Sequence, residues 1–477
     1  MAGAAAHAKQ RRHRRGRSKT RVASGSAKSQ ARLRSKPAHR HPRRALRHRA
    51  VRRKAANAVH RRGRSRSAWK RLAHPPVPVE AITAETAVRE LSEELLRALN
   101  ADAQAEDLGI NLIGYARSET GMGESCRLAA RAIESAGLPF GILPVDLDNL
   151  VNVDISWAHK ESAVPHYNTN IFHINATEMP LVGGRFGETL FRNRLNIGYW
   201  HWELPEFPDE FLHGLELLDE VWVPTRFVGD SIAAKSNVPT VVVPHGVYVE
   251  ELPEHLNRKW FGLPEDRFLF LCMYDSYSIK ARKNPQAVIE AFRRLMSEHR
   301  QLRAELVVKI NHPTEAETAA LREQLAGIPN VRIIDRVFGR TEAKALIRCA
   351  DCVVSLHRSE GFGLPLAEAM YLGIPVIGTN WSGNTDFMNA NNAGVVNYRL
   401  VQVGQDYGPY RAHQTWAEPD VDHAAYLMRM MVTDAKWRET IARNGQATIR
   451  AHFSPRVAGK RIRDRLSAVR ADFRPKR

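Results

Sequence analysis

Cysteine is scarce. Four of 477 residues, Cys126, Cys272, Cys349 and Cys352, are too few to staple a secreted disulfide scaffold, and they fit a reducing compartment. Long apolar runs are also missing. No stretch approaches the roughly 18 consecutive apolar residues of a spanning helix, so an integral membrane protein is not expected. No apolar core of 7 or more residues follows the basic start, so export is not expected either. The third absence is local: residues 1–72 contain no Asp or Glu at all, against 26 Lys and Arg.

That last absence divides the chain. The net charge is +20, but 26 of the 71 Lys and Arg lie in 1–72. The remaining 45 face all 51 Asp and Glu, a net of −6 for residues 73–477. A basic tail thus precedes a mildly acidic body. Residues 1–77 are Arg, Ala, Ser and His with isolated apolar positions, too little to offset the entropy of ordering, and disorder is expected. Four readings of the tail stay open. It is an electrostatic arm touching anionic membrane or nucleic acid, a product of a misplaced translation start, a specific nucleic-acid domain, or a transit peptide. A nucleic-acid partner is the less expected, because aromatics for base stacking are not interleaved with the charges.

The body alternates short apolar runs with amphipathic stretches. Residues 78–105 carry Leu91, Leu95, Leu96 and Leu99 at helical spacing, as an accessory helix would. Strands are expected at 110–115, 140–145, 170–174, 196–200, 220–223 and 240–243, with helices at 124–136 and 226–235 among them. Residues 244–264, rich in Pro and Gly, read as an interdomain linker. The pattern restarts with strands at 268–274, 305–310, 331–334, 352–356 and 375–378. Helices are expected at 285–299, 315–326, 342–349, 365–372, 421–431 and 437–466. This is an α/β chain with two Rossmann-like, doubly wound domains facing a cleft. The division expected is a tail over 1–77, a first domain over 78–250, a second over 251–450, and a terminal segment over 451–477. In such sheets ligands sit beyond the carboxyl ends of the strands.

One segment carries most of the chemistry. Ser359-Glu360-Gly361-Phe362-Gly363-Leu364-Pro365-Leu366-Ala367-Glu368 follows an apolar strand and opens a helix. Glycines before a helix start let backbone N–H groups approach an anion, and Pro365 suits a first turn. Glu360 and Glu368, eight residues apart, can both face a ligand, and carboxylates pair well with vicinal hydroxyls. Lys280, Arg282 and Lys283 follow the strand at 268–274, where cations would stabilise a departing diphosphate. In the first half, Thr120-Gly121-Met122-Gly123-Glu124 sits between a strand and a helix. It is not the dinucleotide fingerprint, since Cys126 stands at the place of the third glycine. His173 and His201 end two strands, and Tyr199, Trp200 and Trp202 cluster beside them, either to stack on a sugar or to pack between domains. Asp146-Leu147-Asp148 mimics a divalent-metal D-x-D pair, but no metal site is expected from it. Cys349 and Cys352 make only half a zinc site and are read as core.

The Glu360–Glu368 segment resembles the E-x7-E motif of retaining GT-B glycosyltransferases of the family-four, or glycosyl transferases group 1, type. Gly373-Ile374-Pro375-Val376-Ile377-Gly378-Thr379-Asn380 and Arg282-Lys283-Asn284-Pro285 are similar to it as well, and the resemblance covers roughly 109–470. It implies a hexosyltransferase, metal-independent and without a cofactor, using a UDP-sugar or GDP-sugar as substrate. Mannose or glucose would move to a glycan or lipid-linked acceptor in polysaccharide or glycolipid synthesis. The resemblance assigns Arg282, Lys283, Glu360, Gly361, Phe362, Gly363, Leu364 and Glu368 to the donor. Gly121, Gly123, Glu124 and Trp202 go to the acceptor, and His201, His173, Glu360, Lys283 and Arg282 to catalysis. The chain departs from the family where an Arg usually follows the strand directly. Tyr274-Asp275-Ser276-Tyr277-Ser278 stands there, and Lys280 or Arg282 must replace it. A cytoplasmic location follows, with peripheral contact at the inner membrane face through the tail. The rival readings are an idle GT-B scaffold recruited by the tail and a nucleotide-sugar epimerase.

Overall fold

The computed structural model describes residues 109–145 and 154–473. The basic tail, the helix expected over 78–105 and the Asp146–Asp148 pair lie outside the described residues.

Two parallel six-stranded sheets organise the chain. The first contains β1 (Ile110–Gly114), β2 (Phe140–Pro144), β3 (Thr169–His173), β4 (Leu195–Tyr199), β5 (Glu220–Val223) and β6 (Thr240–Val242). Its order is β2-β1-β3-β4-β5-β6. The second contains β7 (Phe268–Asp275), β8 (Ala304–Asn311), β9 (Val331–Ile334), β10 (Cys352–Ser355), β11 (Val376–Thr379) and β12 (Gly394–Val396). Its order is β12-β11-β10-β7-β8-β9. Strand order therefore reverses between β1 and β3 in one sheet and between β7 and β10 in the other. These are the two places where a doubly wound sheet opens a crevice for a ligand.

The strands read as apolar runs because helices cover both faces of a parallel sheet. All five residues of β1, β3 and β4 are buried. The expected strands appear within a residue or so of their positions, the ordinary uncertainty of strand ends. Three features differ from expectation. β12, only three residues long, was not anticipated. A separate antiparallel hairpin, β13 (Tyr398–Gln402) with β14 (Thr415–Pro419), joins neither sheet. The single long terminal helix is two, Ala435–His452 and Pro455–Asp472. Pro455 suits the first turn of a new helix and cannot continue the old one.

The helix Pro455–Asp472 lies against the helix Gly121–Ser135. Gly459 makes this approach close: a Cβ there would stand 2.2 Å from the Ala132 carbonyl oxygen. Ala458, Ile462 and Leu466 complete a core with Ile110, Leu112 and Ile133. Arg465 pairs with Glu220, and Arg470 donates to the Thr169 hydroxyl at 2.7 Å. The end of the chain is thus built into the first sheet's layer. Among the described residues, no helix is long and apolar enough to cross a membrane.

Candidate active site

The second sheet's switch point gathers charge. β7 leads into a short helix, Lys280–Lys283, that stops at Asn284 in the left-handed conformation, φ 51°. Asn tolerates that geometry better than most side chains. Its amide nitrogen donates to the Leu356 carbonyl at 3.1 Å, pinning the turn to the segment leaving β10. The pinned turn delivers Arg282 and Lys283 to Glu360. Arg282 Nη1 lies 3.2 Å from Glu360 Oε2 and donates to the Ser359 carbonyl at 2.9 Å. Lys283 Nζ pairs with Glu360 Oε1. Of the two cations that could replace the missing arginine, Arg282 is the one that reaches Glu360.

The Glu360 backbone is held from the other side. Its N–H donates to the Ser382 hydroxyl at 2.8 Å, and its carbonyl accepts from the Gly383 N–H at 2.9 Å. Gly383 has no substitute in this position, because a Cβ would fall 2.1 Å from the Gly361 oxygen. Gly363 follows with φ 97° as the entry to the helix Leu364–Leu372, whose first turn contains Pro365.

Arg282 and Glu360 are buried and Lys283 is partly buried, and pairing decides their charge. Burial alone would raise the Glu360 carboxyl, but Lys283 and Arg282 bring it down to about 2. Burial also opposes the Arg282 charge, and Tyr410, Glu203 and Glu360 more than compensate. Burial draws the Lys283 ammonium below its ordinary value despite Glu360. Arg282 Nε remains a buried donor with no acceptor. An unused N–H on a guanidinium between two carboxylates suits a phosphate oxygen, which takes forked guanidinium contacts well.

Glu368 sits one turn into its helix, 3.2 Å from Lys344 Nζ. Lys344 also contacts Glu124 from the first half. Glu124 is further bound by Arg127 at 2.9 Å, and these cations outweigh burial to bring it down to about 2. Burial raises Glu368, which has Lys344 to offset it but the Glu124 charge against it. Glu124, expected to face an acceptor, is therefore committed to cations in a buried ion-pair group. Gly123 explains how the loop folds so tightly: a Cβ there would meet the Ser118 oxygen at 2.0 Å. Thr120 caps the helix by accepting from the Gly123 N–H at 3.3 Å, and Gly121 is exposed at the helix start.

The first sheet's switch point holds imidazoles. His173 ends β3, and its Nε2 lies 2.6 Å from Ser125 Oγ. His201 Nε2 is 3.3 Å from the same oxygen and 3.1 Å from His245 Nε2. The Tyr199 hydroxyl is 3.2 Å from His245 Nδ1 and donates to the Val243 carbonyl at 2.7 Å. Burial lowers all three imidazoles below the ordinary histidine value, His201 to about 4. They are neutral near pH 7. The Nδ1 atoms of His173 and His201 are buried without a partner. His245 was missed in the sequence because it stands inside the Pro/Gly-rich stretch read as linker. Its ring meets the Phe362 ring edge-on at 4.7 Å between centroids, so the two switch points adjoin.

Trp202 corrects an expectation. Only 4% of it is exposed, and its ring packs against Phe207, Phe211 and Tyr410. Its indole N–H donates to the Glu206 carbonyl at 2.9 Å. An aromatic enclosed on these sides offers no face to a sugar, so it serves packing between the two halves. Cys349 and Cys352 are buried in two separate core clusters. Among the described residues, no group of three or more His, Cys, Asp or Glu is arranged to hold a metal ion.

Residues 255–399, which contain the charged switch point, match the family model described as glycosyl transferases group 1. The match lies wholly within the second half of the chain and takes in β7 to β12. A curated relative is N-acetyl-alpha-D-glucosaminyl L-malate synthase of Bacillus anthracis, 27% identical over 154 residues. That alignment spans 32% of this chain and 36% of the relative's length. Among solved structures, HepE of Anabaena in complex with UDP and glucose is 14% identical with a TM-score of 0.54. It matches 76% of this chain and 100% of its own. Sucrose-phosphate synthase from Thermosynechococcus elongatus is 16% identical, with a TM-score of 0.54 and the same coverage of the two chains. These likenesses show the GT-B fold: the second Rossmann-like domain faces the first across the contacts described above.

Proposed function

We propose that the chain is a retaining glycosyltransferase that moves a hexose from a nucleotide diphosphate sugar to an acceptor hydroxyl, without a metal or other cofactor. The observation that carries this reading is the Arg282–Lys283–Glu360 cluster at one switch point, set beside the neutral imidazole cluster at the other. The spare Arg282 donor and Lys283 face a diphosphate and stabilise the charge that develops as the glycosidic bond breaks. Glu360 takes hydroxyls of the donor sugar, and Glu368 takes those of the ribose. Backbone N–H groups over Gly361–Leu364 complete the donor side. His201 and His173, uncharged, present imidazole atoms to sugar hydroxyls without attracting a further anion. Among the described residues no carboxylate pairs with the imidazoles, and no base for the acceptor is evident. The departing phosphate then takes the acceptor's proton on the face it leaves, which keeps the anomeric configuration. HepE was crystallised with UDP and glucose, which supports the donor class. The acceptor is placed in the class of glycans or lipid-linked sugars, and peripheral membrane contact through residues 1–77 belongs to the same proposal.

The deciding experiment is a calorimetric titration of the full-length chain with UDP, GDP and ADP and their sugar derivatives, with Glu368→Ala as control. Selective binding by one nucleotide, weakened in the variant, is the expected result. A folded chain that binds none of them overturns the reading. Release of free sugar or its epimer without an acceptor would point to hydrolysis or epimerisation instead.

A further inference from the structure

The hairpin β13–β14 grips both halves of the molecule. On the side of the second half, the Ala417 N–H donates to the Arg358 carbonyl at 3.0 Å, and Arg358 Nε donates to Glu418 at 2.6 Å. Arg358 also donates through its side chain to the Ala281 carbonyl at 2.7 Å and through its backbone to the Arg282 carbonyl at 2.7 Å. On the other side, Val403, Tyr410 and Trp416 are buried in the core of the first half with Trp202, Leu204 and Phe207. Gln414 donates to the Glu206 carbonyl at 3.0 Å, and Arg411 pairs with Glu210 at 2.6 Å. Within this grip one line of contacts runs to the phosphate clamp. The Tyr410 hydroxyl donates to Glu203 Oε2 at 2.8 Å, and Glu203 Oε1 lies 3.7 Å from Arg282 Nη2.

We infer that Tyr410 and Glu203 are positioning residues for Arg282. The hairpin hydroxyl fixes the Glu203 carboxylate, and Glu203 and Glu360 bracket the guanidinium from opposite halves of the chain. The bracket sets the plane in which the unpartnered Nε–H points, and so presents it to the diphosphate. The clamp is complete only where the hairpin meets the segment after β4, which couples the contact between the halves to donor binding. The inference rests on the donor-site reading above.

Tyr410→Phe in the full-length chain removes the hydroxyl and keeps the ring against Trp202. One hydrogen bond is worth about 0.5–1.5 kcal/mol, so amide exchange over residues 276–284 should quicken by about 2- to 13-fold without any nucleotide. The affinity for UDP, read by calorimetry, should fall by a similar factor. Glu203→Gln should reproduce both effects. Arg399→Ala, on the exposed face of the same hairpin, should move neither. Unchanged exchange over 276–284 in Tyr410→Phe overturns the inference, as does equal loosening in Arg399→Ala. Failure of the wild-type chain to bind UDP, GDP or ADP removes the donor-site reading, while the exchange result still decides whether Tyr410 holds Arg282.

Discussion

The switch point of the first sheet is lined by Ser125, His173, Tyr199, His201 and His245, all held uncharged, whereas that of the second sets Arg282 and Lys283 against Glu360 and Glu203. The two lie at topologically matching places and touch through His245 and Phe362. Both are buried, yet burial acts on them differently. Imidazoles escape its cost by giving up the proton. Carboxylates, guanidinium and ammonium escape it by pairing. The result is a site with one charged wall and one polar, neutral wall, the combination a charged leaving group and an uncharged sugar would need.

The charged wall breaks most readily. Under the donor-site reading, Glu360→Gln or Lys283→Ala should cut transfer by about 100- to 1,000-fold, the range for removing one group that stabilises charge in a transition state. A coupled assay of nucleotide release would read this, alongside circular dichroism to confirm a folded chain. Full activity in either variant would separate the cluster from catalysis. Gly383→Ala should do comparable damage by a different route, since its Cβ cannot fit beside the Gly361 oxygen and must displace the Glu360 backbone.

The neutral wall should show itself through acid. Its folded-state histidine values are depressed below the unfolded value near 6.5. Above that value both states are uncharged and the histidines contribute nothing to the pH slope. Below it the unfolded chain takes protons that the folded chain refuses, so stability falls as pH drops from about 6.5 towards the His201 value of about 4. The loss due to His201 is on the order of 3 kcal/mol across that window. Glu360 moves the other way in origin but not in sign: its low value stabilises the fold above the ordinary carboxyl range, and that contribution is lost progressively as pH falls from about 4.5 to about 2. Urea unfolding at pH 7.5, 6.0 and 5.0 separates the two, because only the histidine effect is in force there. His201→Gln should reduce the slope between pH 6.5 and 5 by the share of one histidine, leaving that of His173 and His245. A slope that His201→Gln leaves intact would place the titrating groups elsewhere.

Much of this arrangement was legible in the chain. Apolar runs flanked by amphipathic stretches located eleven of the twelve sheet strands, and Glu360, Glu368, Arg282 and Lys283 were identified from their spacing to those strands. What escaped has physical causes. β12 has three residues, too few for a pattern. In β13, Tyr398, Arg399 and Leu400 are exposed, so its apolar positions do not mark a core-facing alternation. His245 hid among prolines and glycines because a site residue needs only a fixed place, not a regular element. Trp202 stood out beside β4, but its partner Tyr410, which also holds Glu203, lies about two hundred residues away, and no local pattern joins them.

The contact between the walls offers the smallest and cleanest test. Thr225, from the first half, donates its hydroxyl to the Gly361 carbonyl at 2.8 Å and also accepts from the Val228 N–H at 3.4 Å as a helix cap. Thr225→Ala should cost about 1 kcal/mol for the cap alone and somewhat more with the second bond. Thr225→Ser keeps both bonds and should restore nearly all of it. If the alanine variant loses stability but keeps its nucleotide affinity, the hydroxyl serves only the fold of the first half. If affinity falls with it and serine restores both, the Gly361 loop is held in place from across the domain boundary, and the two walls work as one site.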